Sequence, residues 1–162
     1  MSQATIDDLN RRLEEKGARK ASVANFRPNL LVTGLEPYGE DRLKIIKVDG
    51  HTIFLIGRCP RCSIPTNDPN KGKWEASPPY LLNIDEGAPL RIGELSEVEV
   101  SKTIMSYRRV DPGEKYAACM GMHGTAQDFG YYINVGDVIT IVETTSSHDR
   151  RGTDVHPDFW AS

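Results

Sequence analysis

The strongest chemical signal in the chain is the run Arg58-Cys59-Pro60-Arg61-Cys62, placed where a β-type segment runs out into a turn. Several chemistries compete for a C-x-x-C of this kind. A redox pair wants a helix after the first cysteine to lower its pKa, but Ser63-Ile64-Pro65 reads as extended. Half of a zinc site wants two further ligands, and Cys119-x-x-x-His123 offers them, making a Cys3His set with Cys59 and Cys62. A thiolate ligand to a soft transition metal would instead enlist arginines to hold an anionic organic cofactor. Arg61 lies beside Cys62, and Arg27 sits in Asn25-Phe26-Arg27-Pro28-Asn29. A fourth reading asks for no chemistry at all, with the cysteines as small buried apolar groups and the arginines as surface charge.

The elements that must position these groups are short. Ile6, Leu9 and Leu13 fall on one helical face, with Thr5 as N-cap, Asp8 behind it and Gly17 as the stop. That pattern predicts a covering helix packed on something larger. Leu30 to Thr33 reads as an apolar β-type run closed by Gly34. Leu43 to Val48 and Thr52 to Ile56 flank Asp49-Gly50, a hairpin signal, because both turn positions need positive φ. Residues 73 to 100 mix prolines, glycines and acidic residues, the composition of a loop or insertion, with a short strand at Val98 to Val100. Ser101 to Arg109 predicts a short helix, and Val138 to Val142 a strand after the turn Asn134 to Asp137. From Thr144 onward the chain is a polar tail. Many short strands and one clear helix point to a small β-barrel or a β-rich α+β fold.

Bulk properties narrow the functions. With 162 residues and 18.1 kDa, the chain makes one ordinary domain or part of a larger one. A net charge of −3 gives no reason to expect bulk nucleic-acid binding. No apolar stretch is long enough for a membrane span or a secretory signal, and an odd number of cysteines argues for a reducing compartment. A soluble, intracellular protein is expected.

Read in order, NFRPNLLVTGLEPYGED (25 to 41), RCPRCSIPTNDP (58 to 69), SYRRVDPGEKY (106 to 116) and NVGDVITI (134 to 141) resemble the MOSC domain family. This module closes molybdenum-cofactor sulfurases and forms part of the amidoxime-reducing component. FRPN and C-x-R-C are closer to the amidoxime-reducing type. The resemblance implies a mainly β, α+β fold: a partial MOSC-type β-barrel over residues 25–143, after an N-terminal helix and link over 1–24 and before the tail at 144–162, with an insertion at about 73–100. It implies that the chain starts in the middle of the family pattern. It also implies a molybdenum cofactor (molybdopterin), with Cys62 as the metal ligand and catalytic centre, and with Arg61, Arg27 and Asn29 on its pterin–phosphate part. Guanidinium forks suit phosphate oxygens, and adjacent positive charge favours a thiolate. Thr66 and Asp68 would lie near the rim, and His123 stands where the family carries a tyrosine. Pyridoxal phosphate belongs to full-length sulfurases and is not expected here. The implied activity is reduction of N-hydroxylated small molecules, with electrons from a separate haem or flavin protein. The alternatives are a sulfur or cofactor carrier without turnover, and the structural zinc domain.

Overall fold

The computed structural model describes residues 1–62, 65, 92–113 and 115–146. Thr66, Asp68, most of the expected insertion and the tail beyond residue 146 lie outside the described residues.

Helix α1 spans Gln3–Glu15 and buries Ile6, Leu9 and Leu13, the stripe the spacing predicts. It begins earlier than expected. Ser2, not Thr5, is the N-cap, and its Oγ accepts the Thr5 amide at 3.2 Å. Thr5 is buried inside the first turn, where its hydroxyl donates to Glu40 at 2.9 Å. The helix ends as Gly17 predicts. That residue takes φ +66°, its amide bonds Glu14 O, and the Ala18 amide bonds Leu13 O. This paired closure satisfies carbonyls that the last turn would otherwise leave orphaned.

Four antiparallel strands form one sheet in the order β3-β2-β1-β4. β1 (Leu43–Val48) and β2 (His51–Arg61) are joined by Asp49-Gly50, both at positive φ, with Val48 facing His51. The hairpin is therefore the one its two turn residues specify. β2 continues through Cys59, Pro60 and Arg61, so the cysteine motif lies within and just after a strand and not beyond one. β3 (Ala118–Ala126) was not expected; its two glycines and small residues hide the alternation that marks a strand. β4 (Ile139–Thr144) matches the strand expected at 138–142, shifted by a residue or two. The described residues thus form an α+β fold with one four-stranded antiparallel sheet, which they do not close into a barrel.

Two further expectations are corrected. Leu30 to Thr33 joins no ladder; Val32 only bridges to Ser2 at the chain start. The segment expected as loop plus strand up to residue 100 is helical from Ile92, and α3 (Ile92–Tyr107) runs without a break into the helix expected at 101. Val98 and Val100 suggest a strand, but glutamates, leucine and lysine around them favour a helix, and Val100 and Ile104, one turn apart, bury one face.

Burial is organised in two clusters. Ile6, Leu9 and Leu13 of α1 meet Val100 and Ile104 of α3 over Ala118 and Met120 of β3, with Phe26 of the short helix α2 (Val23–Phe26). Leu43, Ile46, Val48 and Ile53 form a second cluster on the β1–β2 hairpin. A short 3-10 turn, Gly39–Arg42, sits between these clusters and leads into β1.

Candidate functional site

A cavity of about 570 Å³ opens between one face of the sheet, α2 and the segment that follows α2. Its polar wall carries Arg27, Asn29, Glu40, Cys59, Arg61 and His123, and Leu43, Ile46, Ile53 and Leu55 supply an apolar floor. The strand period explains why Cys59 and Arg61 share this wall: alternate residues of β2 face the same side. Cys62 follows the last residue of β2, is exposed, and is not among the wall residues.

Each arginine is placed by backbone. Arg27 closes α2 in a left-handed conformation (φ 48°, ψ 48°), which costs a non-glycine residue of order 1 kcal/mol. That turn redirects the chain so that Arg27, Pro28 and Asn29 follow one another along the cavity. Arg61 donates from Nε to Met120 O at 2.8 Å and from Nη1 to Phe26 O at 3.1 Å, its guanidinium 5.6 Å from the Phe26 ring centroid. Buried Asn25 completes the brace. Its side chain accepts the Ser22 amide at 2.7 Å and donates to Pro65 O at 3.0 Å, tying α2 to the segment just after Cys62.

Sequence reasoning missed several residues. Glu40 is only 3% exposed, lies on the cavity wall, and accepts the Ser2 amide at 3.1 Å as well as the Thr5 hydroxyl. Nothing in its local pattern sets it apart; only the docking of α1 onto the 3-10 turn reveals it. Its neighbour Asp41 is buried and receives Arg58 Nε at 3.0 Å and Arg108 Nη2 at 2.6 Å on one oxygen. Arg108 also donates to Cys119 O at 2.9 Å and lies over the Tyr38 ring. Tyr38 and Tyr107 share a hydroxyl contact at 2.6 Å, and Tyr38 donates to Asp8 at 2.8 Å. The EPYGED and SYRR segments thus lock to each other behind the cavity and brace it; they do not line it apart from Glu40. Burial raises the Tyr38 and Tyr107 hydroxyls above the ordinary phenol range, strongly for Tyr38, where the Tyr107 hydrogen bond reinforces it. Asp8 goes the other way. Burial would raise it, yet hydrogen bonds from Arg12, Arg11 and Tyr38 bring it down to about 2.

The competing chemistries fare unequally. Cys59 and Arg61 face the cavity, whereas Cys119 is fully buried opposite Pro60, its thiol near Ala117 O. Among the described residues no three His, Cys, Asp or Glu side chains converge on a point, so Cys59, Cys62, Cys119 and His123 do not form the zinc set. A Cys59–Cys62 redox pair fails on the strand itself. Cys59 lies inside β2 and not at the start of a helix, as such a pair wants, and neither Cys59 nor Cys62 is in a disulfide. Arg27, Asn29 and Arg61 all line this one cavity; Cys62, which follows the last residue of β2, does not.

Among the described residues no helix is long and apolar enough to cross a membrane. Compared with known proteins, the chain matches the MOSC domain over residues 1–140. It is 32% identical over 135 residues to mitochondrial amidoxime reducing component 2 of Bos taurus, covering 83% of this chain and 31% of that protein. It is 28% identical over 150 residues to mitochondrial amidoxime-reducing component 1 of Homo sapiens, covering 88% and 36%. Against the molybdenum cofactor sulfurase of Arabidopsis thaliana it is 40% identical over 116 residues, covering 68% of this chain but 12% of the sulfurase. The chain therefore spans about a third of the amidoxime-reducing relatives. A match that runs through every element from α1 to the start of β4 means that the chain belongs to the MOSC domain family.

Proposed function

We propose that the chain is the cofactor-holding part of a molybdenum-dependent oxidoreductase that reduces N-hydroxylated compounds, with electrons arriving from a separate haem or flavin protein. The observation that supports this reading best is that Arg27, Asn29 and Arg61 all line one cavity, with Cys62 next in sequence to Arg61. The names of the relatives, amidoxime reducing components and a molybdenum cofactor sulfurase, point the same way. The donor set fits the group. Two guanidinium groups suit a phosphate, an amide side chain suits the pterin edge, and about 570 Å³ lies within the range of ~300–1,000 Å³ usual for organic ligands.

In this reading Arg27 and Arg61 bind the pterin–phosphate part, Asn29 orients the pterin, and Cys62 is the metal ligand. The cofactor, when bound, supplies a redox-active molybdenum at which an N–O bond is reduced. The chain's own contribution is to hold that group and keep water off it. Leu43, Ile46, Ile53 and Leu55 make the floor apolar, which strengthens every charge–charge contact above it. His123, at the exposed side of the wall, offers an imidazole able to exchange a proton with a ligand seated there. The mitochondrial names of the relatives suggest a mitochondria-associated setting for this chain as well.

Expression in a host that makes the cofactor, followed by molybdenum and pterin analysis, tests the reading. Cys62→Ala should lose most of its metal, whereas Cys59→Ala should keep it. Equal molybdenum in wild type and Cys62→Ala sinks the ligand assignment. One observation favours a second reading, a sulfur or cofactor carrier: the Cys62 thiol is exposed at a strand end, as a transfer site would need. Protein that holds cofactor yet fails to reduce an amidoxime with an electron-donor system supplied would favour the carrier.

A further inference from the structure

The ladder between β2 and β3 is irregular beside the cavity. Arg58 pairs with Met122 and Pro60 with Cys119, so Met120 and Gly121 together oppose Cys59. β3 therefore bulges by one residue, and Gly121 takes φ +79°, the left-handed conformation that such a bulge reserves for glycine. The bulge turns the Met120 carbonyl to Arg61 Nε at 2.8 Å. A Cβ on residue 121 would stand 3.3 Å from Arg61 Nη2 and equally close to Met1 Cβ and Cε.

We propose that Gly121 is a positioning residue: its bare backbone, and the bulge it permits, set the direction in which the Arg61 guanidinium fork meets an anionic ligand. Two hydrogen bonds and one open space fix the fork. Met120 O holds Nε, Phe26 O holds Nη1 at 3.1 Å, and the absence of a side chain at 121 gives Nη2 its place. Pro60 fits the same geometry, because a residue without an N–H is tolerated where a ladder is interrupted. Bulges beside binding sites serve to re-aim a side chain, and here the re-aimed group is Arg61. The inference rests on the cofactor reading for the identity of the ligand, though not for the geometry of the fork.

The test uses the full chain as wild type, Gly121→Asn, Arg61→Lys and the double variant. Asparagine tolerates left-handed backbone, so the bulge survives while a Cβ is added. In cofactor-free protein, hydrogen exchange at Arg61 Nε–H should be slow in wild type and at least about tenfold faster in Gly121→Asn, while backbone amides of β2 and β3 stay protected. Unchanged Nε–H exchange in a folded Gly121→Asn protein overturns the proposal. Should that variant not fold, wild type decides: exchange as fast as that of a solvated arginine overturns it, and slow exchange supports it. In protein from a cofactor-making host, Gly121→Asn and Arg61→Lys should each weaken pterin retention about tenfold, and the double variant should be no worse than Arg61→Lys. Additive losses would mean that Gly121 does not act through Arg61. Wild type without pterin would defeat the cofactor reading and leave the exchange experiment to judge the fork.

Discussion

Asp8 gives the sharpest handle on the frame that holds the cavity. Its carboxylate accepts Arg11 and Arg12, each at 2.7 Å, and the Tyr38 hydroxyl at 2.8 Å, so α1, the EPYGED segment and, through Tyr107, α3 meet at one charge. Burial opposes ionisation there, but these hydrogen bonds win and hold the group at about 2 instead of 3.8. At about 1.4 kcal/mol per pH unit, that difference contributes about 2 kcal/mol to folding at neutral pH. The carboxyl is depressed in the folded state, so its contribution is full above about pH 4 and fades as pH falls towards 2. Urea unfolding of wild type and Asp8→Asn across this range should show a stability gap of about 2 kcal/mol at pH 7, about half of that at pH 3, and little at pH 2. A gap that does not change with pH, or an Asp8→Asn protein as stable as wild type at pH 7, would refute the reasoning.

Removing the other buried carboxylate of that segment should do more damage. Asp41→Asn removes the carboxylate that buried Arg108 pairs with and one that Arg58 bonds, and should cost about 3–5 kcal/mol in chemical denaturation, whereas Arg58→Lys should cost much less. Prolonged treatment with a zinc chelator should leave the melting temperature unchanged, since the four candidate ligands do not converge; unfolding by chelator would restore the zinc reading. Metal analysis of Cys62→Ala and Cys59→Ala should separate the two cysteines, with only the first losing molybdenum. If the cofactor reading holds, Arg27→Ala should lower pterin content, and because Arg27 is exposed it should change stability in urea by no more than about 0.5 kcal/mol.

Local chemistry was legible wherever one residue type answers one local demand. Asp49-Gly50 specified a turn with two positive φ values, Gly17 a helix stop, and Ile6, Leu9 and Leu13 a buried stripe. The motif order identified the family before any coordinates, because four separated segments had to agree at once. β3 escaped notice for the opposite reason: its glycines and methionines serve a bulge and a close approach, needs that exist only once β2 lies alongside. The start of α3 was hidden by Gly93 and by β-branched residues whose burial against α1 is a tertiary fact. What the residues determined alone was the chemistry on offer: two guanidinium groups, an amide and a thiol. Which of them share a wall was decided by packing, since strand parity turns Cys59 and Arg61 the same way and a left-handed turn after α2 delivers Arg27 and Asn29 to meet them.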